Sequence, residues 1–186
     1  MTYFKHERNQ KYEGRSVAEV AEMMGKGVVD AICDLLIDED LQTSFHASGQ
    51  DPAVLADFYA NPLIMVGTDA LLLGDHPPAA AYGAFPVIIA KYCRDDRRMS
   101  LPEAIRKMTS YPAQRLGLKR RGILREGMKA DVVVFDYGAI EAPATRDNPK
   151  RFSTGIDYVI VNGKIVVDHG RHTGALPGRA LRRGAA

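Results

Sequence analysis

Apolar positions recur at helical spacing as far as about residue 118 and then at alternate positions, so the pattern predicts helices first and strands afterwards. Ser16-Val17-Ala18-Glu19 is a capping box, in which the serine hydroxyl accepts from a helix-start N–H and the glutamate reaches back to the serine amide. Val17, Val20, Ala21 and Met24 then predict the inner face of a helix stopped by Gly25 and Gly27. Val28, Val29, Ile32, Leu35 and Leu36 predict a second helix, closed by Asp38-Glu39-Asp40. Residues 1–15 and 42–50 show no period and are read as loop. Asp51-Pro52 opens a third helix, with proline in the first turn, and Val54, Leu55, Phe58 and Tyr59 are its expected buried face.

The next run is different. Leu63-Ile64-Met65-Val66 is a short apolar stretch bounded by Pro62 and Gly67, which predicts a strand buried on both faces, as in a parallel sheet. Asp69 falls just past its carboxyl end. In α/β barrels the loops at that end converge on the mouth where chemistry occurs, although an aspartate after a strand also serves as a turn former or helix cap. Ala70 to Ala81 is read as loop, Phe85 to Tyr92 as helix with Pro86 at its start, and Ser100-Leu101-Pro102-Glu103 as a second capping box. That box opens a helix with Leu101, Ala104, Ile105 and Met108 inward, and Arg106 and Lys107 on its outer face. Pro112 to Leu116 adds a turn or two before Gly117. Beyond the basic break Lys119-Arg120-Arg121 the period is two. Val132 to Phe135 predicts a strand, and Tyr158–Val161, Asn162-Gly163 and Lys164–Val167 predict a hairpin with a two-residue turn. Gly170 to Ala186, rich in Gly, Pro and Arg, is read as loop. The division is therefore 1–118, made of βα-type units, and 119–186, a small β unit plus tail.

Composition narrows the partners. Of 186 residues 46% are apolar and 26% charged, the makeup of a globular chain, and 25 basic against 23 acidic side chains leave +2, too balanced to argue for nucleic acid. No apolar run approaches the roughly 18–20 residues that cross a bilayer, and Met1 to Asn9 lacks the apolar core of a signal peptide. No membrane partner is expected. Cys33 and Cys93, both in helical patterns, are read as free buried thiols of a cytoplasmic protein.

Beyond Asp69 the sequence stops being generic. Gly67-Thr68-Asp69, His76-Pro77 and Tyr82-Gly83-Ala84-Phe85-Pro86 resemble the last barrel strand and loop of the N-acyl-D-amino-acid deacylases, or D-aminoacylases, of the amidohydrolase superfamily. The likeness continues through Leu101–Ser110, Pro112–Leu118, Gly122-Ile123-Leu124, Gly127–Asp136, Val161-Asn162-Gly163, Thr173-Gly174 and Pro177-Gly178-Arg179. The resemblance implies an α/β fold: the C-terminal part of a metal-dependent (β/α)8 amidohydrolase barrel, followed by a small β-sandwich portion. It implies zinc as cofactor and an N-acyl amino acid as the small-molecule partner. It also implies that Asp69 is the acid/base serving the metal site, and offers it as a metal ligand. His76 is read either as lining the mouth near the substrate or as a loop histidine bonded to a neighbouring carbonyl, and Tyr82 as lining the same mouth or simply packing. The chemistry is coherent. Zinc lowers the pKa of bound water to near 7, and a carboxylate in reach can take that proton and return it to the leaving amine.

The remaining parts of such a site are absent from the sequence. A catalytic zinc takes about three protein ligands, yet none of His6, His46, His76, His169 and His172 forms the His-x-His pair of the superfamily. His6, His46, His169 and His172 are read as surface residues. A full barrel needs roughly 250 residues, and only 68 precede Asp69. The chain therefore resembles a C-terminal piece, inactive alone. The expected partner is the missing N-terminal barrel portion, or a second copy in a homo-oligomer. Pro78 stands where the family has arginine after His-Pro, and Ala70-Leu71-Leu72-Leu73 replace a more polar turn. Two other readings stay open: a non-catalytic remnant that binds no metal, and an amidohydrolase acting on cyclic amides, as hydantoinase-like enzymes do.

Overall fold

Helices begin where the capping chemistry places them. In the computed structural model, which describes residues 1–46 and 50–182, α1 (Val17–Met24) starts on the reciprocal pair predicted for it. The Glu19 amide donates to Ser16 Oγ at 3.2 Å and the Ser16 amide donates to Glu19 Oε2 at 2.7 Å. Gly25 ends the helix at φ 65°, a left-handed conformation that glycine adopts without strain. Helix α2 (Val28–Asp38) follows after Gly27, and α3 (Pro52–Ala60) starts on Asp51, whose carboxylate accepts from the Ala53 amide at 2.8 Å. Residues 47–49, inside the unpatterned 42–50 stretch, and 183–186, at the end of the tail, lie outside the described residues.

The chain forms two compact units: Met1–Gly49 with Thr68–Tyr82 and Ala144–Phe152, and Gln50–Gly67 with Gly83–Pro143 and Ser153–Ala186. In the first, residues 1–15 are not loop. They form β1 (Tyr3–Phe4), paired antiparallel with β2 (Thr43–Ser44), and a 3-10 helix over Glu7–Tyr12. The cause is a contact distant in sequence. Glu39, fully buried at the end of α2, accepts from the Lys5 amide at 2.5 Å, the His6 amide at 3.0 Å and Asn9 Nδ2 at 2.6 Å. Phe4, Tyr12, Val20 and Leu35 pack beside this anchor, with Phe4 edge-on to Tyr12 at 5.9 Å.

The second unit has two small cores. Ala56, Val66, Ile88, Tyr92, Cys93 and Ala104 form one, and Ile89, Ala90 and Ile140 the other. Helix α4 (Ala80–Val87) begins earlier than its pattern suggests, holds Pro86 inside it, and continues as a π-helix over Ile88–Asp95. Proline has no N–H for the i−4 carbonyl, and the i+5 bonding begins just after it, ending with the Asp96 amide donating to the Lys91 carbonyl at 2.8 Å. Ser100 caps α5 (Leu101–Met108), which is followed by α6 (Ser110–Arg115). The sheet runs β3 (Val132–Phe135), β4 (Ile156–Val161), β5 (Lys164–Asp168) and β6 (Arg171–His172) in that order, all neighbours antiparallel. Asn162 and Gly163, at φ 48° and 79°, make the predicted hairpin turn. The short strand β6 lies in a stretch read as loop. Arg94 ties the π-helix to the segment after β3, donating to the carbonyls of Gly138 at 3.2 Å and Ile140 at 2.9 Å, and to Glu141 Oε1 at 2.5 Å.

Four further expectations need correction. Leu63–Val66 is not a strand: a strand exists only through neighbours, and none pairs with it among the described residues. Lys107 is not on an outer face but fully buried. Cys33 is exposed, although Cys93 is buried as expected. On α2 and α3 the apolar face is only partly covered: Leu35 is buried, whereas Val29 is 72% and Phe58 58% exposed. Replacing Glu39 by alanine strands two backbone amides and the Asn9 amide without their acceptor. The expected loss is about 3 kcal/mol, in line with hydrogen bonds to a charged group, measured as a lowered urea midpoint.

Candidate functional site

The three sequence-derived site residues, Asp69, His76 and Tyr82, share the Thr68–Tyr82 segment of the first unit. What fixes that segment is the turn at its middle. Gly74 adopts φ 70°, and a side chain there would lie 2.3 Å from the Thr2 carbonyl oxygen, so only glycine fits. The Asp75 amide then donates to Glu13 Oε2 at 2.9 Å, while the other oxygen of Glu13 accepts from the Phe4 amide at 3.3 Å. Lys150 Nζ donates to Asp75 Oδ1 at 2.6 Å, and this hydrogen bond holds the Asp75 carboxyl below the ordinary aspartate range. Pro77 is buried behind the turn.

His76 is half-buried, with its ring against the backbone of Gly14, itself at φ 79°. A Cβ at position 14 would lie 3.0 Å from His76 Cε1. His76 Nδ1 is enclosed and has no hydrogen-bond partner among the described residues, so the ring is placed by shape and not by a bond to a neighbouring carbonyl. Tyr82 is half-buried and packs on Phe152, ring centroids 5.5 Å apart at 55°. Asp69 is exposed and makes no hydrogen bond or ion pair among the described residues. Leu71, Leu72 and Leu73 after it are exposed as well. Glu13, Gly14 and Lys150 escaped the sequence reading because they meet Asp75 and His76 across 62 to 75 residues, with no local pattern to mark them.

Residues 1–167 match the family model described as the amidohydrolase family. The chain belongs to the amidohydrolase family. Within it, the chain is 35% identical over 172 residues to an N-acyl-D-aspartate deacylase of Alcaligenes xylosoxydans xylosoxydans, covering 89% of this chain and 34% of that protein. The crystal structure of a D-aminoacylase matches it at 30% identity with a TM-score of 0.82, over 94% of this chain and 35% of that one. An N-acyl-D-glutamate deacylase from Bordetella bronchiseptica, solved with zinc and a phosphonate mimic of the tetrahedral intermediate, matches at 31% identity and a TM-score of 0.75, over 89% of this chain and 33% of that one. This amidohydrolase chain thus spans about a third of the length of the relatives it matches. The expected α/β fold, part of an amidohydrolase barrel with a small β portion, agrees with these solved structures. Among its described residues no three His, Cys, Asp or Glu side chains gather closely enough to hold a metal ion, so the residues present do not fit a complete zinc site by themselves. No helix among the described residues is long and apolar enough to cross a membrane.

Two outcomes test the site's construction. In Lys150→Met the Asp75 carboxyl titrates closer to the ordinary aspartate value of about 3.9, as followed by NMR. The sign follows from the lowered folded value: the pair stabilises above the unfolded pKa, and that contribution is lost as pH falls through the folded one. Gly14→Ala forces a left-handed alanine against the imidazole and costs about 1–3 kcal/mol. The readouts are the thermal midpoint and a shifted His76 ring resonance.

Proposed function

We propose that the chain is the C-terminal portion of a zinc-dependent N-acyl-D-amino-acid deacylase, a hydrolase of linear amide bonds, working in the cytoplasm. The observation that carries this reading is the joint match in sequence and shape to D-aminoacylase over nearly all of the chain. Residues 1–118 correspond, on this reading, to late βα units of the barrel, and 119–186 to the small sandwich.

Asp69 is assigned the proton transfers. Amide hydrolysis needs a base to take a proton from the attacking water and an acid to protonate the departing amine, because an unprotonated amine leaves poorly. One carboxylate can do both in turn. An exposed aspartate with no partner among the described residues is available for that work, where a paired one would not be. Asp69 also offers one oxygen to a metal. The other ligands must come from other polypeptide, since no three metal-binding side chains gather among the described residues. Zinc, when bound in such a site, supplies an activated water and polarises the scissile carbonyl. His76 and Tyr82 line the approach of substrate. The substrate side chain is taken to be apolar: Pro78 cannot form the paired hydrogen bonds that an arginine makes to a carboxylate, and Leu71–Leu73 present an apolar surface.

The test supplies the first two thirds of the structurally matched D-aminoacylase in trans, with zinc. N-Acetyl-D-leucine is hydrolysed faster than N-acetyl-D-aspartate, and the L-enantiomers are left intact. Asp69→Asn lowers kcat about 10³-fold, the scale of general acid–base catalysis, with assembly unchanged by gel filtration. Turnover that survives Asp69→Asn removes the assigned role. Absence of any turnover in an assembled complex removes the deacylase reading and leaves a chain that serves only as a non-catalytic association module.

A further inference from the structure

Among the described residues the run that leads to Asp69 lacks a strand partner, yet its backbone carbonyls are bonded. Four consecutive carbonyls are caught by side chains of α5 and α6. Lys107 Nζ donates to the carbonyls of Asn61 and, at 3.1 Å, Ile64. Arg106 Nη2 donates to the Pro62 carbonyl at 2.8 Å, and Tyr111 Oη donates to the Leu63 carbonyl at 3.3 Å. In return the Lys107 carbonyl accepts from the Val66 amide at 3.2 Å. Asn61–Leu63 form the turn that follows α3, closed by the Ile64 amide donating to the Asn61 carbonyl at 3.1 Å, so the side chains of α5 and α6 clasp that turn and the run after it.

The catching side chains are themselves fixed. Arg106 donates to both oxygens of Glu103, at 2.8 and 2.9 Å, and lies 4.4 Å above the Tyr111 ring. Lys107 is fully buried, with Glu103 3.9 Å away as its only carboxylate among the described residues. Burial pushes its ammonium below the ordinary lysine range. A lysine there is expensive, since an ammonium removed from water must recover its hydrogen bonds. A methionine of similar length would fill the same space without that penalty. What the ammonium adds is several donors on one atom, able to span two carbonyls three residues apart.

We infer that Lys107, assisted by Arg106 and Tyr111, is a positioning residue that clasps the turn and run Asn61–Val66 to α5 and α6 and so fixes the stretch of chain that runs up to Gly67, two residues before Asp69. The structural half stands on the contacts alone; the functional half rests on the proposed role of Asp69. Gly67 shows why an anchor is needed just before that point. A Cβ added there would meet nothing within 4 Å among the described residues, so side-chain packing does not restrain the chain at Gly67 itself.

Hydrogen exchange on the full chain tests the structural half. Lys107→Met speeds exchange of the Leu63, Ile64 and Val66 amides by about tenfold or more, while the β4–β5 hairpin amides keep their rates, as expected for a local opening. Unchanged rates at residues 63–66, or acceleration of the hairpin to the same extent, overturn the inference. Should Lys107→Met fail to fold, Tyr111→Phe decides: it removes one exposed hydroxyl, and a rise confined to the same amides supports the inference where no rise overturns it. In the complemented assay Lys107→Met lowers kcat by about tenfold or more with KM within about twofold, and Lys107→Arg recovers part of the loss. Wild-type kcat in Lys107→Met overturns the functional half. The two readings fail separately. A wild-type complex without turnover still yields the exchange result, and ordinary exchange in Lys107→Met leaves the deacylase reading intact.

Discussion

A backbone amide or carbonyl taken out of water must find a partner, and in this chain that requirement is met repeatedly by side chains. Glu39 gathers two amides and the Asn9 side chain in the first unit. In the second, Lys107 gathers two carbonyls, and Arg94 gathers carbonyls along the segment after β3. Each is an ionised group that bonds several backbone groups at once. Each therefore concentrates the stability of its unit in a few bonds that tolerate substitution poorly, since removing the charge leaves several backbone groups unpaired together.

The apolar faces of the helices tell a complementary story. The period of α2 and α3 specifies a broad buried stripe, and only its middle is covered: Ala31 and Leu35 on one helix, Ala56 on the other. A helical pattern records the core for which a segment is written, whether or not the cover lies among the described residues. The family relationship gives that core its context, because the matched solved structures are about three times as long as the aligned chain.

Much of this architecture was legible in sequence, and the legible part is local. The capping residues Ser16, Asp51 and Ser100 marked helix starts through bonds spanning two or three positions. Asn162-Gly163 marked its hairpin because only a left-handed pair makes that turn. Several misreadings share one cause. Residues 1–15 take their form from Glu39, the 63–66 run from Lys107 and its neighbours, and the placing of His76 from Gly14, all contacts between distant residues that leave no period. The candidate site divides the same way. Asp69 and His76 stood out through motif residues, whereas Glu13 and Lys150, which hold the turn between them, carry no sequence mark.

The unequal burial of the two cysteines has a practical consequence. Cys33 on α2 faces solvent, while Cys93 is enclosed in the π-helix with its sulfur 3.5 Å from Tyr137 Oη. Thiol reagents act on accessible thiolates, so a maleimide dye or spin label attaches to native protein at one place without prior mutagenesis. That place lies beside Val29 and Ile32, on the uncovered stripe of the helix, where a fluorophore reports directly on whatever comes to rest there.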